Sequence, residues 1–193
     1  MVATPTEVLR RVVQVLDGLG IPYVIGGSFA SSAYGEARST RDADLVVELR
    51  LDQVEALASR LESDFYISRD AISEAIRNRM SFNAIHLESM FKVDFFVLGP
   101  SAFDLEEFRR RVSRPVEELG GQTWIIKTPE DTVLRKLEWY RSGGEVSDQQ
   151  WRDVLGVLAV WRGRLDEAYL DQWAAALRVS DLLEAARRAI AEL

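Results

Sequence analysis

Asp42-Ala43-Asp44-Leu45-Val46-Val47 is an apolar run that opens with two acids two residues apart, and that spacing sets the fold. On a β-strand, residues i and i+2 point to the same face, so Asp42 and Asp44 present their carboxylates together. Two like charges at that distance repel, and each is costly beside an apolar run. A divalent cation removes both costs. Oxygen-only ligands without a nearby histidine or cysteine point to Mg²⁺ or Mn²⁺ rather than zinc.

Downstream, Phe91-Lys92-Val93-Asp94-Phe95-Phe96-Val97 is a second strand, in which Asp94 interrupts a strongly apolar stretch. An ionised aspartate is rarely buried without a partner. If this strand lies beside Asp42–Val47, Asp94 faces the pair and completes a three-carboxylate metal site. Two cations there would stabilise the attacking and leaving oxygens of an in-line displacement. Upstream, Ile21-Pro22-Tyr23-Val24-Ile25 reads as a buried strand running into Gly26-Gly27-Ser28 and a short helix near 29–34. Glycines let a backbone approach a ligand closely, and a helix start offers N–H groups to a phosphate. Thirteen residues separate Ser28 from Asp42, and Arg38 and Thr40 precede the carboxylate pair.

The remaining pattern predicts a small mixed α/β sheet followed by a helical tail. Thr4-Pro5-Thr6-Glu7 is a capping-box helix start, with Val8, Leu9, Val12, Val13 and Leu16 on one face. Further elements are expected as a strand to Glu48, a helix over 52–61, a hairpin from 81–86 and 91–98 turning at Glu88-Ser89, a helix over 102–112 and a strand over 123–127. Residues 65–80 fit no single pattern. From Thr128-Pro129 onward everything is helical, at about 130–141, 147–162, 166–177 and 180–192. The layout is a core over 1–127 and a C-terminal helical subdomain over 128–193. Trp139, Trp151, Trp161 and Trp173 fall at amphipathic spacing and are expected to pack between the tail helices.

Composition narrows the chemistry. The 193 residues include no cysteine and a single histidine, His86, which removes disulfides, thiolate metal sites and cysteine nucleophiles and leaves catalysis to carboxylates. An apolar fraction of 47% with 28% charged residues describes a packed core. The first apolar stretch is interrupted by Arg10, Arg11 and Asp17, so no membrane span or signal peptide is expected, and the absence of cysteine fits the cytoplasm. A net charge of −7 argues against broad non-specific nucleic-acid binding, although Arg109, Arg110, Arg111 and Arg114 are candidates for a local basic edge.

Gly26-Gly27-Ser28, Tyr34-Gly35 and Arg38-Ser39-Thr40-Arg41-Asp42-Ala43-Asp44-Leu45 together resemble the signature of polymerase β-like nucleotidyltransferases, most closely the AbiEii-type and related short prokaryotic members. The resemblance implies that Gly26, Gly27 and Ser28 bind the triphosphate of an NTP, with Arg38 and Thr40 beside them. It further implies that Asp42, Asp44 and Asp94 bind Mg²⁺, with Asp94 close to the attacking hydroxyl. It also implies a lysine and an aspartate on helices after the core, for which Lys136 and Asp153 are the candidates, the lysine to bind triphosphate oxygens and the aspartate to orient it or act on the acceptor. They lie eight and nine positions either side of Gly144, level with each other in an antiparallel helical hairpin. The implied activity is transfer of a nucleoside monophosphate to an acceptor hydroxyl with release of pyrophosphate. The acceptor candidates are an RNA 3′ end such as that of tRNA, a protein side chain or a small molecule such as an aminoglycoside, and the resemblance together with the arginines at 109–111 and 114 favours RNA over a small molecule. The alternative is a nucleotide-binding regulatory module, or the partner of an antitoxin in a toxin–antitoxin pair, without turnover.

Overall fold

Thr4 opens the first helix. Its hydroxyl accepts from the Glu7 backbone N–H, and the Glu7 carboxylate accepts from the Thr4 N–H at 2.7 Å, closing the capping box. The resulting α1 (Pro5–Gly18) buries Val8, Leu9, Val12, Val13 and Leu16, each contributing about 1.5–3 kcal/mol when fully withdrawn from water. The structure, a computed structural model, describes residues 2–36, 40–116 and 121–192.

After α1 come β1 (Tyr23–Ile25), α2 (Gly27–Tyr34), β2 (Asp42–Val47), a single 3₁₀ turn at Leu51–Gln53, α3 (Val54–Leu61), β3 (Phe65–Tyr66) and α4 (Arg69–Asn78). The chain continues through β4 (Ser81–His86), β5 (Lys92–Val97), α5 (Ala102–Arg110), β6 (Val112–Pro115) and β7 (Thr123–Ile126). It ends in α6 (Pro129–Ser142), α7 (Asp148–Val160), α8 (Glu167–Ala176) and α9 (Ser180–Ala191). Among the described residues, seven strands form one sheet in the order β3-β4-β5-β2-β1-β7-β6. It is mixed: β2 runs parallel to β5 and β1 parallel to β7, and the other neighbours are antiparallel. The fold is the expected mixed α/β sheet followed by helices.

Two segments differ from the sequence expectation. Residues 65–80 contain a two-residue strand and a full helix, α4, whose buried positions are only Ile72 and Ala75; the apolar stripe is too thin to announce a helix. Residues 111–116 leave the helix expected to reach Val112. Val112 pairs with Ile126 and Pro115 with Thr123 instead, forming β6 at the sheet edge, where a proline does not interrupt a ladder on both sides.

Strand register sets which side chains share the polar face. Parallel pairing puts Asp42 opposite Lys92, Asp44 opposite Asp94 and Val46 opposite Phe96. On the other side of β2, Val24 pairs with Val46, and the Gly26 N–H donates to the Asp44 carbonyl at 2.9 Å. One sheet face therefore carries three successive rows: Asp42 and Lys92, then Gly26, Asp44 and Asp94, then Val24, Val46 and Phe96. The alternate residues Ala43, Leu45, Val47, Val93, Phe95 and Val97 turn the other way, into the buried cluster that also holds the apolar faces of α1 and α3. Leu134, Leu137, Val154 and Val157 of the tail belong to that same cluster, and the Trp161 ring meets Tyr34 of α2 edge-on at 5.4 Å. The tail helices are thereby anchored to α2, beside the polar row.

Candidate active site

The turn from β1 into α2 is built around a carboxylate. Gly27 has φ +53°, and a Cβ placed on it would overlap the Asp44 carboxyl group. A side chain at 27 is thus excluded twice, by backbone conformation and by Asp44 itself. The N-cap of α2 is Gly26, which provides no side-chain cap, and Ser28 stands in the first turn of that helix. The helix starts two residues earlier than expected, which brings Ser28 into the end where backbone N–H groups and the helix dipole favour an anion.

Asp44 is the electrostatic centre. Burial first, then the charges of Asp42 and Asp94, push its carboxyl up to about 6, and Lys136 and Lys127 only partly offset this. Such a group is a negative charge short of positive partners, as an oxygen donor awaiting a hard cation is. Asp42 is steadied by Thr40, whose hydroxyl lies 3.0 Å from the Asp42 carbonyl and 3.2 Å from its Oδ1. Asp94 turns to Lys92, at 2.7 Å. Among the described residues, no three acidic or imidazole side chains are already gathered tightly enough to hold an ion. The three aspartates share a face and adjoining rows, and Lys92, whose side chain is 41% exposed, is a weakly held competitor of a cation for Asp94. The all-oxygen donor set fits Mg²⁺ or Mn²⁺. Arg38 lies outside the described residues.

Between this sheet face and α6 runs a cavity of about 400 Å³. One stripe of α6 lines it: Thr132, Arg135, Lys136 and Trp139, at the three- and four-residue spacing of a helix face. Gly26, Gly27 and Asp44 line it from the sheet. The Lys136 ammonium donates to Asp153 Oδ2 of α7 at 2.6 Å, with the two side chains 12% and 7% exposed; the structure brings this pair together across the α6–α7 hairpin.

A part-buried ionic network that the sequence does not announce borders the cavity. Lys127 reaches Glu107 at 2.8 Å, and Arg135 reaches Glu107 and Asp104 at 2.7 Å each and Glu138 at 2.6 Å. Burial opposes the ionised form of Asp104, but the Ser101 hydroxyl and Arg135 overcome it and hold its carboxyl below the usual range. Apart from Glu138, one helical turn from Arg135, the partners are 20 to 31 residues apart in sequence, so only the fold unites them. Lys127 also abuts Gly26, where a Cβ would lie 3.1 Å from its Cε.

The members of the arginine run, candidates for a local basic edge, take separate partners. Arg109 is held by Glu106 at 2.7 Å, and Arg110 bonds Glu130 while lying over the Tyr169 ring at 3.7 Å. Arg111 stacks on Phe108, and Arg114 faces Tyr34 and Trp161. Helix α5 ends within the run, at Arg110. Trp139 departs from its expected packing role: it is 52% exposed at the cavity, whereas Trp151, Trp161 and Trp173 pack on the core. Arg79 also lines the cavity, its guanidinium donating to the Leu98 carbonyl at 3.0 Å. His86 is buried and bonded to the Ser89 hydroxyl, away from this site.

No protein-family profile matches the chain, and no curated protein is detectably similar to it. Solved structures share its fold. The antibiotic-resistance factor ANT(2″)-Ia in complex with adenylyl-2″-tobramycin superposes with a TM-score of 0.58 at 13% identity, over 91% of this chain and 98% of that one. The lincomycin-bound lincosamide antibiotic adenylyltransferase LnuA gives 0.54 at 10% identity, over 83% and 99%. A nucleotidyltransferase-like protein from Paracoccidioides brasiliensis gives 0.57 at 18% identity, over 97% and 94%. Among the described residues no helix is long and apolar enough to cross a membrane.

Proposed function

We propose that this chain is a cytoplasmic, Mg²⁺-dependent nucleotidyltransferase that moves a nucleoside monophosphate from an NTP to a hydroxyl of a small molecule and releases pyrophosphate. The observation that carries the reading is the convergence of Gly26, Gly27, Asp44 and Lys136 on one cavity. The fold shared with two antibiotic adenylyltransferases supports it.

In this reading residues 1–127 hold the nucleotide and its cation, and the helices of 128–193 close over the triphosphate. The Gly26–Gly27 backbone and the start of α2, with Ser28, face the phosphates, flanked by Thr40. Lys136, aimed by Asp153, balances charge on the triphosphate oxygens. Asp42, Asp44 and Asp94 are the cation's ligands, and a bound divalent ion would supply charge neutralisation at the reacting phosphate and the departing pyrophosphate. Asp94 takes the acceptor's hydroxyl proton while that oxygen bonds to the α-phosphorus and the bond from phosphorus to pyrophosphate breaks. Positioning and charge compensation do most of the work in such chemistry.

Replacing Lys136 with alanine is expected to lower turnover about 100-fold. Because the change also strands Asp153, Asp153→Asn is the control: it breaks the same salt bridge but keeps the lysine. Equal losses of stability with kcat unchanged in both variants would make the pair an inter-helix tie and nothing more.

A small acceptor is favoured because Arg110, Arg111 and Arg114 are engaged with Glu130 and aromatic rings, which leaves Arg109, in an exposed pair with Glu106, as the cation of the run open to an RNA backbone, and the chain carries a net −7. The test is transfer from α-³²P-labelled NTPs, with Mg²⁺, to tRNA and, separately, to hydroxyl-bearing small molecules beginning with tobramycin and lincomycin. Label is expected on a small molecule, with little dependence on salt. Label on an RNA 3′ end that fades steeply with salt and with Arg111→Glu would reinstate RNA. Tight nucleotide binding with no transfer to any acceptor would favour the regulatory or toxin–antitoxin module.

A further inference from the structure

The two ends of the cavity differ in kind. At one end are Gly26, Gly27, Asp44, Lys127 and Lys136. One pleat along the same sheet face, roughly 7 Å by strand geometry, the lining changes to Val46 and Phe96. Over this second row α6 lays Trp139, three residues beyond Lys136. The Trp139 and Phe96 rings meet edge-on, with centroids 6.4 Å apart and planes at 64°. A half-exposed indole at a cavity forgoes about 25 cal/mol for every Å² of apolar surface left in water.

We infer that Trp139, backed by Phe96, is the platform on which the nucleobase of the bound NTP stacks. The platform rests on the nucleotide-binding reading above and adds to it the end of the nucleotide that the cradle does not hold. Position supports it: one pleat from Asp44 is the separation that a ribose imposes between an α-phosphate and its base. Direction supports it too, because Lys136 and Trp139 share one stripe of α6, so a triphosphate at the lysine extends its nucleoside along that stripe. Charge favours a flat neutral ring over a cationic acceptor. The carboxylates lining the cavity, Asp104 and Glu107, are already matched to Arg135 and Lys127. Stacking tolerates any base, so the platform supplies affinity and leaves base choice to groups such as Arg79.

The experiment compares two probes by titration calorimetry in Mg²⁺: α,β-methylene-ATP, which has a base, and inorganic tripolyphosphate, which has none. Trp139→Ala should weaken the nucleotide analogue about tenfold or more and leave tripolyphosphate unchanged, while Trp139→Phe, which keeps a ring, should retain most of the affinity. Half-exposed Trp139 contributes little to the core, so the variant should fold; a melting curve checks this. Wild-type affinity of Trp139→Ala for the analogue would overturn the platform and leave the triphosphate cradle standing. Equal loss of both probes would also overturn it, by showing a general disturbance of the cavity. Failure of the wild type to bind either probe would remove the nucleotide-binding reading itself.

Discussion

Asp44→Asn is expected to lower nucleotidyl transfer by about 10³-fold or more while leaving the protein folded and more stable without metal than the wild type. The loss follows from removing the central member of the carboxylate row. The gain follows from its electrostatics: a carboxyl raised from 3.8 to about 6 by burial and two neighbouring acids is ionised at neutral pH at a cost. The folded state keeps this proton up to about pH 6, whereas the unfolded chain releases it near pH 4. Stability of the metal-free protein should therefore fall as pH rises from about 4 to 6 and stay reduced above, by up to about 3 kcal/mol. Melting curves against pH measure this directly. Asp44→Asn should flatten that part of the profile, and Mg²⁺ should restore wild-type stability at neutral pH through binding to the folded state. A wild-type profile that rises through the same window would show that Asp44 is already compensated.

Gly27→Val is expected to abolish measurable transfer and to destabilise the fold by about 2–5 kcal/mol. The reason is not only the space a phosphate would occupy. At φ +53° a β-branched residue is strained, and its first side-chain atom would coincide with the Asp44 carboxylate. The turn and the acid are one unit, so moving either displaces the other. Gly27→Ala should show the same defect in milder form, with nucleotide affinity falling more than melting temperature. Unaltered nucleotide affinity in a folded Gly27→Ala protein would separate the turn from the site.

Legibility in the sequence depends on the distance over which each feature is determined. The α1 cap, the Asp42–Val47 strand and the four tail helices rest on spacing within a few residues, and periodicity found them. The alignment of Asp44 with Asp94 was inferable because a lone acid in an apolar strand needs a partner, and the parallel β2–β5 register supplies the placement. Lys136 and Asp153 came from motif resemblance and hairpin symmetry. Helix α4 escaped because Arg69, Arg77 and Arg79 dilute a stripe of only two buried residues, and β6 because Val112-Ser113-Arg114-Pro115 is short, largely exposed and carries no strand alternation. The Lys127–Glu107–Arg135–Asp104 network could not be read at all, since any of 24 cations and 31 acids can pair until the fold selects them. Trp139 misled for a related reason: helical spacing says which face a residue shares, not whether that face meets the core or a cavity. For the arginine run, counting charges does not show that helix α5 ends within it, at Arg110.

Equilibrium binding of ATP to the wild type and to Asp44→Asn, titrated in Mg²⁺ and again in EDTA, probes the carboxylate–triphosphate site most directly. Binding is predicted for the wild type in Mg²⁺, none in EDTA, and none by the folded Asp44→Asn variant in either. Wild-type protein that ignores nucleotide in Mg²⁺, or an Asp44→Asn variant that binds it equally well, would contradict the assignment.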